Sequence, residues 1–314
     1  MPARRFLQLD VFSPYAGAGN PLAVVLDSEG LDDATMQAIA RWTGLPETTF
    51  VFPATTPDAD YRLRMFSPQA EVPFAGHPSV GTAHAVIEAC IATPRDGVLK
   101  QEGIAGIFPL RIDGEGGKQS IAIRSPRAKV AEIAKHDDPR LADAAPFAVM
   151  PSKAKAGAAS SRDPLPPVLM DGGRRWWLVE VENEKTLRTI KPDWDAIATL
   201  AESTGSMGVF AWARADAKQP ASGQNFDFAV RALVGNARRF EDAASGAANA
   251  VFAAWLDERN ALPHPAAADG SRRFIVSQGR EVGFDAQLSL VIDAEGEVWS
   301  GGQVRSLIRG EIDW

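Results

Sequence analysis

Cysteine is almost missing from this chain of 314 residues: Cys90 stands alone. A single cysteine excludes an intramolecular disulfide framework and any cysteine-based metal cluster. Cys90 closes a run of small and apolar residues, so a buried, unreactive core position is expected for it. Long apolar runs are missing as well. No window approaches the roughly 18 apolar residues of a membrane span. The opening M-P-A-R-R-F-L-Q-L-D carries two arginines but no apolar stretch fit for a signal peptide. A cytoplasmic location is therefore expected. An excess of positive charge is also lacking. The formal net charge is -7, which argues against broad binding to nucleic acid or to an anionic membrane surface.

The catalytic signatures that are absent narrow the chemistry further. No H-E-x-x-H or other metal-ligand spacing occurs, no G-x-G-x-x-G follows a strand, and no G-x-x-x-x-G-K-[ST] is present. No G-x-S-x-G nucleophile elbow is found, and no lysine is marked as a pyridoxal anchor. The class left standing is proton transfer without metal or cofactor. In it a carboxylate takes and returns a proton while helix N-termini hold a substrate carboxylate.

What is present is organised around residues 64–90. Arg64-Met-Phe reads as the end of a strand, and Pro68 and Pro73 rule out a long helix there. The chain turns at Ala75-Gly-His-Pro-Ser79 and then runs Ser79 to Ile91 as a helix that is apolar nearly all round, hence buried. Pro78 suits its first turn. A second copy follows. Gly81–Ala89 matches Gly246–Ala254 at an offset of 165 with five of nine positions identical, and the same offset lays His77 on Asp242. Each half then reads as strand, turn bearing one titratable side chain, and buried helix.

The rest reads as many short strands in hairpin-like connections. Strands are expected at 6–12, 22–26, 46–52, 61–66, 103–112, 120–123, 168–170, 176–181, 209–213, 227–234, 274–277, 287–292 and 297–308. Helices are expected from Asp32 to Gly44 and from Asp193 to Ser203. Residues 126–140 read as a crossover, 113–117 as a hairpin turn, and 151–166, rich in Ala, Ser, Lys and Pro, as a surface insertion. The class is α+β rather than a doubly wound nucleotide fold. Trp176, Trp177, Trp212, Trp299 and Trp314 are candidates to supply an interface aromatic.

Four side chains stand in turn contexts: Glu47, Glu71, His77 and Asp242. Glu47 at the mouth of a strand, partly desolvated, would have a raised pKa suited to proton exchange; a solvated surface Glu is the plain alternative. Glu241-Asp242 reads equally as an N-cap pair for the second helix. His84, inside the first helix, reads as a satisfied core histidine.

Taken together, Gly19-Asn-Pro-Leu-Ala-Val-Val25, Glu47-Thr-Thr-Phe-Val51, Phe66-Ser-Pro-Gln-Ala-Glu-Val-Pro-Phe-Ala-Gly-His-Pro78, Glu241-Asp-Ala-Ala-Ser-Gly246, Gln278-Gly279 and Gly301-Gly302 resemble the phenazine-biosynthesis PhzF-like family, which shares the diaminopimelate epimerase fold. The resemblance implies two pseudo-symmetric halves, each a curved mixed sheet wrapped around a central helix, with the active site in the cleft between them. The expected boundaries are 1–127 for the first half, with 303–314 as a candidate to return to it, and 128–302 for the second. It implies an isomerase without metal or cofactor, acting as a homodimer on a small carboxylic acid.

Carried over by position, Glu47 is the acid/base, and His77 and Asp242 are its polar neighbours. Asn20, Gly76, Ser245, Gly246 and Ala247 contact the substrate. The chain departs from the family turn E-D-P-A-T-G-S-A: it reads E-D-A-A-S-G-A-A, so Ala247 replaces the family serine. The usual F-x-P before that turn is Leu233-Val-Gly. The lost hydroxyl motivates the alternative, a carboxylate-binding protein that keeps the same cleft without catalysis. The epimerase cysteine pair is excluded by the cysteine count.

Overall fold

The computed structural model describes residues 3–114, 116, 119–135, 138–149, 164–215, 225–235 and 239–314. In chain order the elements are β1 (Ala3–Val11), β2 (Asn20–Val25), α1 (Asp33–Thr43), β3 (Glu47–Phe52), β4 (Tyr61–Phe66), β5 (Glu71–Val72), α2 (Gly76–Glu88), β6 (Val98–Gly103), β7 (Gly106–Asp113), β8 (Ser120–Arg124), β9 (Lys129–Ile133) and α3 (Pro139–Ala144). They continue with β10 (Val168–Asp171), β11 (Arg175–Glu180), α4 (Glu184–Thr189), α5 (Trp194–Thr204), β12 (Gly208–Arg214), β13 (Phe228–Val234), β14 (Phe240–Asp242), α6 (Gly246–Glu258), β15 (Arg272–Gln278), β16 (Ala286–Ile292) and β17 (Val298–Asp313). The fold is α+β and dominated by mixed sheet. It divides into one compact unit of 1–124 and 299–314 and a second of 125–298.

In the first unit the strand pairings run round a circuit. β1 pairs antiparallel with β2 and β17, β2 lies parallel to β3, β3 antiparallel to β4, and β4 parallel to β6. β6, β7 and β8 form antiparallel hairpins, and β8 returns to the start of β17. α2 packs against β1, β2, β3, β4, β6 and β8. Its residues from His77 to Ala83 are all buried. That explains its lack of a polar face: a helix enclosed by sheet has no side left for water.

Gly81 shows how close the packing is. A Cβ there would meet Leu22 Cδ2 at 2.4 Å and Val11 Cγ2 at 2.8 Å. α1 lies outside the strands, its Met36, Ile39 and Ala40 packed with Val25, Phe50 and Phe66. Asp32 caps its start by accepting from the Thr35 amide, and Gly44, at φ +66°, ends it.

The second unit repeats the sequence of pairing senses. β10 is antiparallel to β9 and β11, β11 parallel to β12, β12 antiparallel to β13, β13 parallel to β15, and β15 antiparallel to β16. α6 packs against β9, β10, β11 and β16. Phe252 of α6 meets Phe210, Trp212, Phe228 and Phe274 in an aromatic cluster. α4 and α5 cover one side of β12 and β13 through Leu187, Ile197 and Leu200, and α3 packs on α5.

Several expectations need correction. The segment 103–112 is not one strand: a turn at Ile104-Ala105 separates β6 from β7. The crossover at 126–140 contains β9 and the start of α3, and α4 was not anticipated because six residues are too few for a helical repeat to show. Cys90 is exposed, not buried; α2 ends at Glu88, and Cys90 sits just beyond it at φ +56°. Trp176, Trp177, Trp212 and Trp299 are core residues, whereas Trp42 is the widely exposed one, tilted against Trp314 with ring centroids 5.9 Å apart. The insertion at 151–166 lies mostly outside the described residues, as does part of the turn at 113–117.

Aligned on their first residues, the two central helices stand 170 residues apart, not the 165 expected. Both central helices have 13 residues and begin at glycine, Gly76 and Gly246. His77 therefore corresponds to Ala247. Asp242, opposite Ala232, corresponds to Val72, opposite Met65. Runs of alanine let the two helices match in more than one register, and the identity count picked the wrong one.

Candidate functional site

The candidate site residues of the first unit begin with β3. Its register is sewn in place by hydroxyls. Thr43 and Thr48 share a hydrogen bond of 2.7 Å, Thr82 of α2 donates to Thr49 at 2.8 Å, and Thr49 donates to the Ala23 carbonyl. β3 is thereby fixed between α1, β2 and α2, with Glu47 as its first residue. The α2 N-terminus approaches that residue. His77, the second residue of α2, is 5% exposed, and its Nδ1 lies 3.2 Å from Glu47 Oε2. Its Nε2 is buried and has no hydrogen-bond partner among the described residues. Buried polar atoms are nearly always satisfied, so this one is a candidate contact for a bound water or substrate.

The Glu47–His77 pair can hold protons in two ways. With Glu47 ionised, Nδ1–H donates to the carboxylate and Nε2 is a bare acceptor. With Glu47 protonated, the carboxyl donates to Nδ1 and Nε2–H becomes a donor. The second state holds one proton more than the first, so gaining or losing a proton at the pair changes what Nε2 offers. Beside it, the α2 N-cap is Ala75, which has no side chain to cap the first amides. The N-terminal amides of such a helix favour an anion.

Neighbouring residues hold this region rather than react. Arg64 grips Glu71 through two bonds of 2.6 and 2.7 Å and also reaches Asp33, tying β5 to β4 just before the turn into α2. Ser79 donates to the Ala75 carbonyl at 2.9 Å. Asn20 is buried at the start of β2, opposite Val11 and two residues before Leu22, the parallel partner of Glu47. Sequence reasoning missed Asp10. Its buried carboxylate accepts from Ser13 Oγ at 2.6 Å and Gly17 N at 2.7 Å, and so shapes the loop leading to Asn20. The signal was there: an acidic residue near the end of an alternating strand, directly before a turn-rich loop.

The second unit carries Asp242, Ser245, Gly246 and Ala247. Arg231 grips Glu241 through bonds of 3.0 and 2.7 Å, repeating the Arg64–Glu71 clamp, and donates also to the carbonyls of Leu187 and Ile190. Glu241 is thus a clamp residue, and the α6 N-cap is Ser245, whose side chain accepts from the Ala248 amide. The Glu241-Asp242 capping alternative falls with that. The Asp242 carboxylate accepts from the Ala244 amide at 3.2 Å. Gly246 is buried and Ala247 exposed in the first turn.

Of the expected site residues, the structure joins Glu47 with His77 and places Gly76 next in chain to His77. It gathers Asp242, Ser245, Gly246 and Ala247 in one turn of the second unit. His84 is not with them: it contacts Ser306 and Glu88 further along α2. Among the described residues no group of three or more His, Cys, Asp or Glu side chains is placed to hold a metal ion. No helix among them is long and apolar enough to cross a membrane.

Comparison with known proteins gives a consistent result. The model of the PhzC-PhzF family, described as phenazine biosynthesis-like protein, matches residues 9–311. An uncharacterized isomerase of Mesorhizobium japonicum is 32% identical over 94% of this chain and 93% of its own length. Trans-2,3-dihydro-3-hydroxyanthranilate isomerase of Pseudomonas aeruginosa is 26% identical, covering 96% of this chain and 94% of the enzyme. The crystal structure of a PhzF-family phenazine biosynthesis protein from Bacillus anthracis superposes with a TM-score of 0.79 at 23% identity, covering 100% of both chains. That last likeness concerns the fold.

Proposed function

We propose, for a chain that belongs to the phenazine biosynthesis-like PhzC-PhzF family, that it is a cofactor-independent isomerase or epimerase that shifts a proton on a small carboxylic acid. The observation that carries this reading is the buried His77, its Nδ1 3.2 Å from Glu47 Oε2 and its Nε2 without a partner among the described residues. Glu47 is the general acid/base: it takes a proton from a substrate carbon and returns it to another carbon, or to the opposite face of the same one. His77 shares that proton and uses Nε2 to orient the substrate. Asp242 is the second unit's candidate titratable group. The amides of Gly76, Gly246 and Ala247 are offered to the substrate's carboxylate, with Asn20 and Ser245 as further contacts. The reading treats the two units as pseudo-symmetric halves of one enzyme, working as a homodimer and needing no metal or coenzyme.

Relatives named as isomerases support the reaction class. The test is incubation in D2O with trans-2,3-dihydro-3-hydroxyanthranilate and, separately, a panel of small amino and hydroxy acids. Isomerisation predicts deuterium in the recovered compound with no other change in mass. Loss of water or another fragment would replace the reading by a lyase or hydrolase. Tight binding of a panel member without deuterium uptake would favour the alternative motivated by Ala247, a carboxylate-binding protein without catalysis.

A further inference from the structure

Gln278 ends β15 with none of its side chain exposed, yet every polar atom of that side chain is used. Its Nε2 donates to the Asp242 carbonyl at 2.7 Å, and its Oε1 accepts from the Ser245 amide at 3.2 Å and from Asn249 Nδ2 at 2.8 Å. Asn249, also fully buried, donates in addition to the Ser245 carbonyl at 2.8 Å. Gly279 follows at φ +94°, where a Cβ would lie 2.5 Å from the Ala243 carbonyl oxygen. Both ends of the segment 242–245 are therefore bonded to Gln278, and its middle rests on Gly279. A core glutamine is costly to desolvate unless fully paired. Here its pairing is spent on the two ends of one turn, Asp242 and Ser245, and on Asn249 of the helix that follows.

Among the described residues the first unit has no counterpart of the Gln278 bonds; only Asn249's bond to the Ser245 carbonyl is repeated, by Ser79 to the Ala75 carbonyl. Following the register, the position of Gln278 is held by Gly103, just after the Arg62–Glu102 pair, and that of Asn249 by Ser79. The clamp is thus not something the fold demands of every such turn. It occurs where the strand before the helix carries a carboxylate, Asp242, rather than Val72.

We infer that Gln278, backed by Asn249 and Gly279, is a positioning residue that fixes the backbone of 242–245 and thereby the Asp242 carboxylate. This rests on the proposed function only in taking Asp242 as a working group. Gln278 itself touches no reacting atom. Its effect is to remove freedom that Asp242 would otherwise have to lose during reaction.

The test combines residue-resolved amide exchange with turnover of trans-2,3-dihydro-3-hydroxyanthranilate, for the wild type, Gln278→Met and Leu200→Ala. The last is a core truncation in α5 of the same unit, and serves as a control for general destabilisation. The wild-type Ser245 amide is expected to exchange at least 100-fold more slowly than an unbonded amide. In Gln278→Met it should exchange at least 10-fold faster, and kcat should fall at least 10-fold with a smaller change in KM. Leu200→Ala should leave both untouched.

Unprotected Ser245 in the wild type overturns the inference, and needs no variant to fold. So does an equal response of Gln278→Met and Leu200→Ala, or a Gln278→Met enzyme with a deprotected Ser245 and wild-type kcat. If the wild type does not turn over the probe, the proposed substrate class fails, and the exchange measurements still decide on the clamp.

Discussion

The two arginine–glutamate clamps provide an internal comparison of what burial does to an ion pair. Arg64–Glu71 and Arg231–Glu241 have the same connectivity and nearly the same lengths, 2.6 and 2.7 Å against 3.0 and 2.7 Å. They differ in exposure: 21% and 25% for the first pair, 3% and 4% for the second. Glu241→Gln removes the opposing charge and one of the two bonds, and leaves the Arg231 charge in the interior with neutral oxygens, those of Leu187 and Ile190 and the new amide, and the more distant Glu281 carboxylate at 4.0 Å. Breaking a buried pair by removing one partner costs about 3–5 kcal/mol.

Glu71→Gln leaves Arg64 bonded to Asp33 and reached by water, so its loss should fall near the surface range of about 0–1 kcal/mol. In thermal unfolding, at about 2–4 °C per kcal/mol for units of this size, Glu241→Gln should lower Tm by roughly 6–20 °C and Glu71→Gln by a few degrees at most. The assay is calorimetry of both variants beside the wild type. Equal shifts would refute the argument that burial sets the cost.

Three further outcomes follow from the packing and charge. Gly81→Ala should destabilise by about 1–3 kcal/mol in urea titration, because its methyl would press on Leu22 and Val11; an unchanged midpoint would mean the enclosed helix can shift freely. Burial lowers the His84 pKa from its ordinary 6.5, against the pull of Glu88. The unfolded chain therefore binds that proton more readily. Stability should fall as pH drops below about 6.5, and the acid-side slope should lessen in His84→Gln. Cys90, exposed beyond the end of α2, should react with a soluble thiol reagent in the native protein, one equivalent per chain; reaction only after unfolding would contradict its placement.

Local signals in the chain were legible where a residue acts alone. Asp32 and Gly44 bound α1 as capping chemistry requires, and the apolar circumference of α2 and α6 announced enclosed helices. Glu47 and His77 were singled out by the family resemblance, since Glu47 at a strand start taken alone reads as a solvated side chain; the structure brings the two within 3.2 Å. What needed the fold was pairing between distant segments. Gln278 shows no local pattern that points 33 residues back to Ser245. Glu241 looked like a capping residue because its partner, Arg231, lies across a hairpin. Cys90 looked buried because composition does not reveal where a helix stops; the positive φ at Cys90 comes from the chain reversing there. The repeat offset failed for a similar reason: small residues at the helix surface carry little register information.

The central claim is that Glu47, with His77 against it, moves the proton. The most direct measurement is deuterium uptake from D2O into a turned-over carboxylate by the wild type and by Glu47→Gln, alongside calorimetric binding of the same compound. The account predicts that Glu47→Gln binds with little change in affinity and loses about 10²–10⁴ in exchange rate. Exchange at the wild-type rate by Glu47→Gln would contradict it.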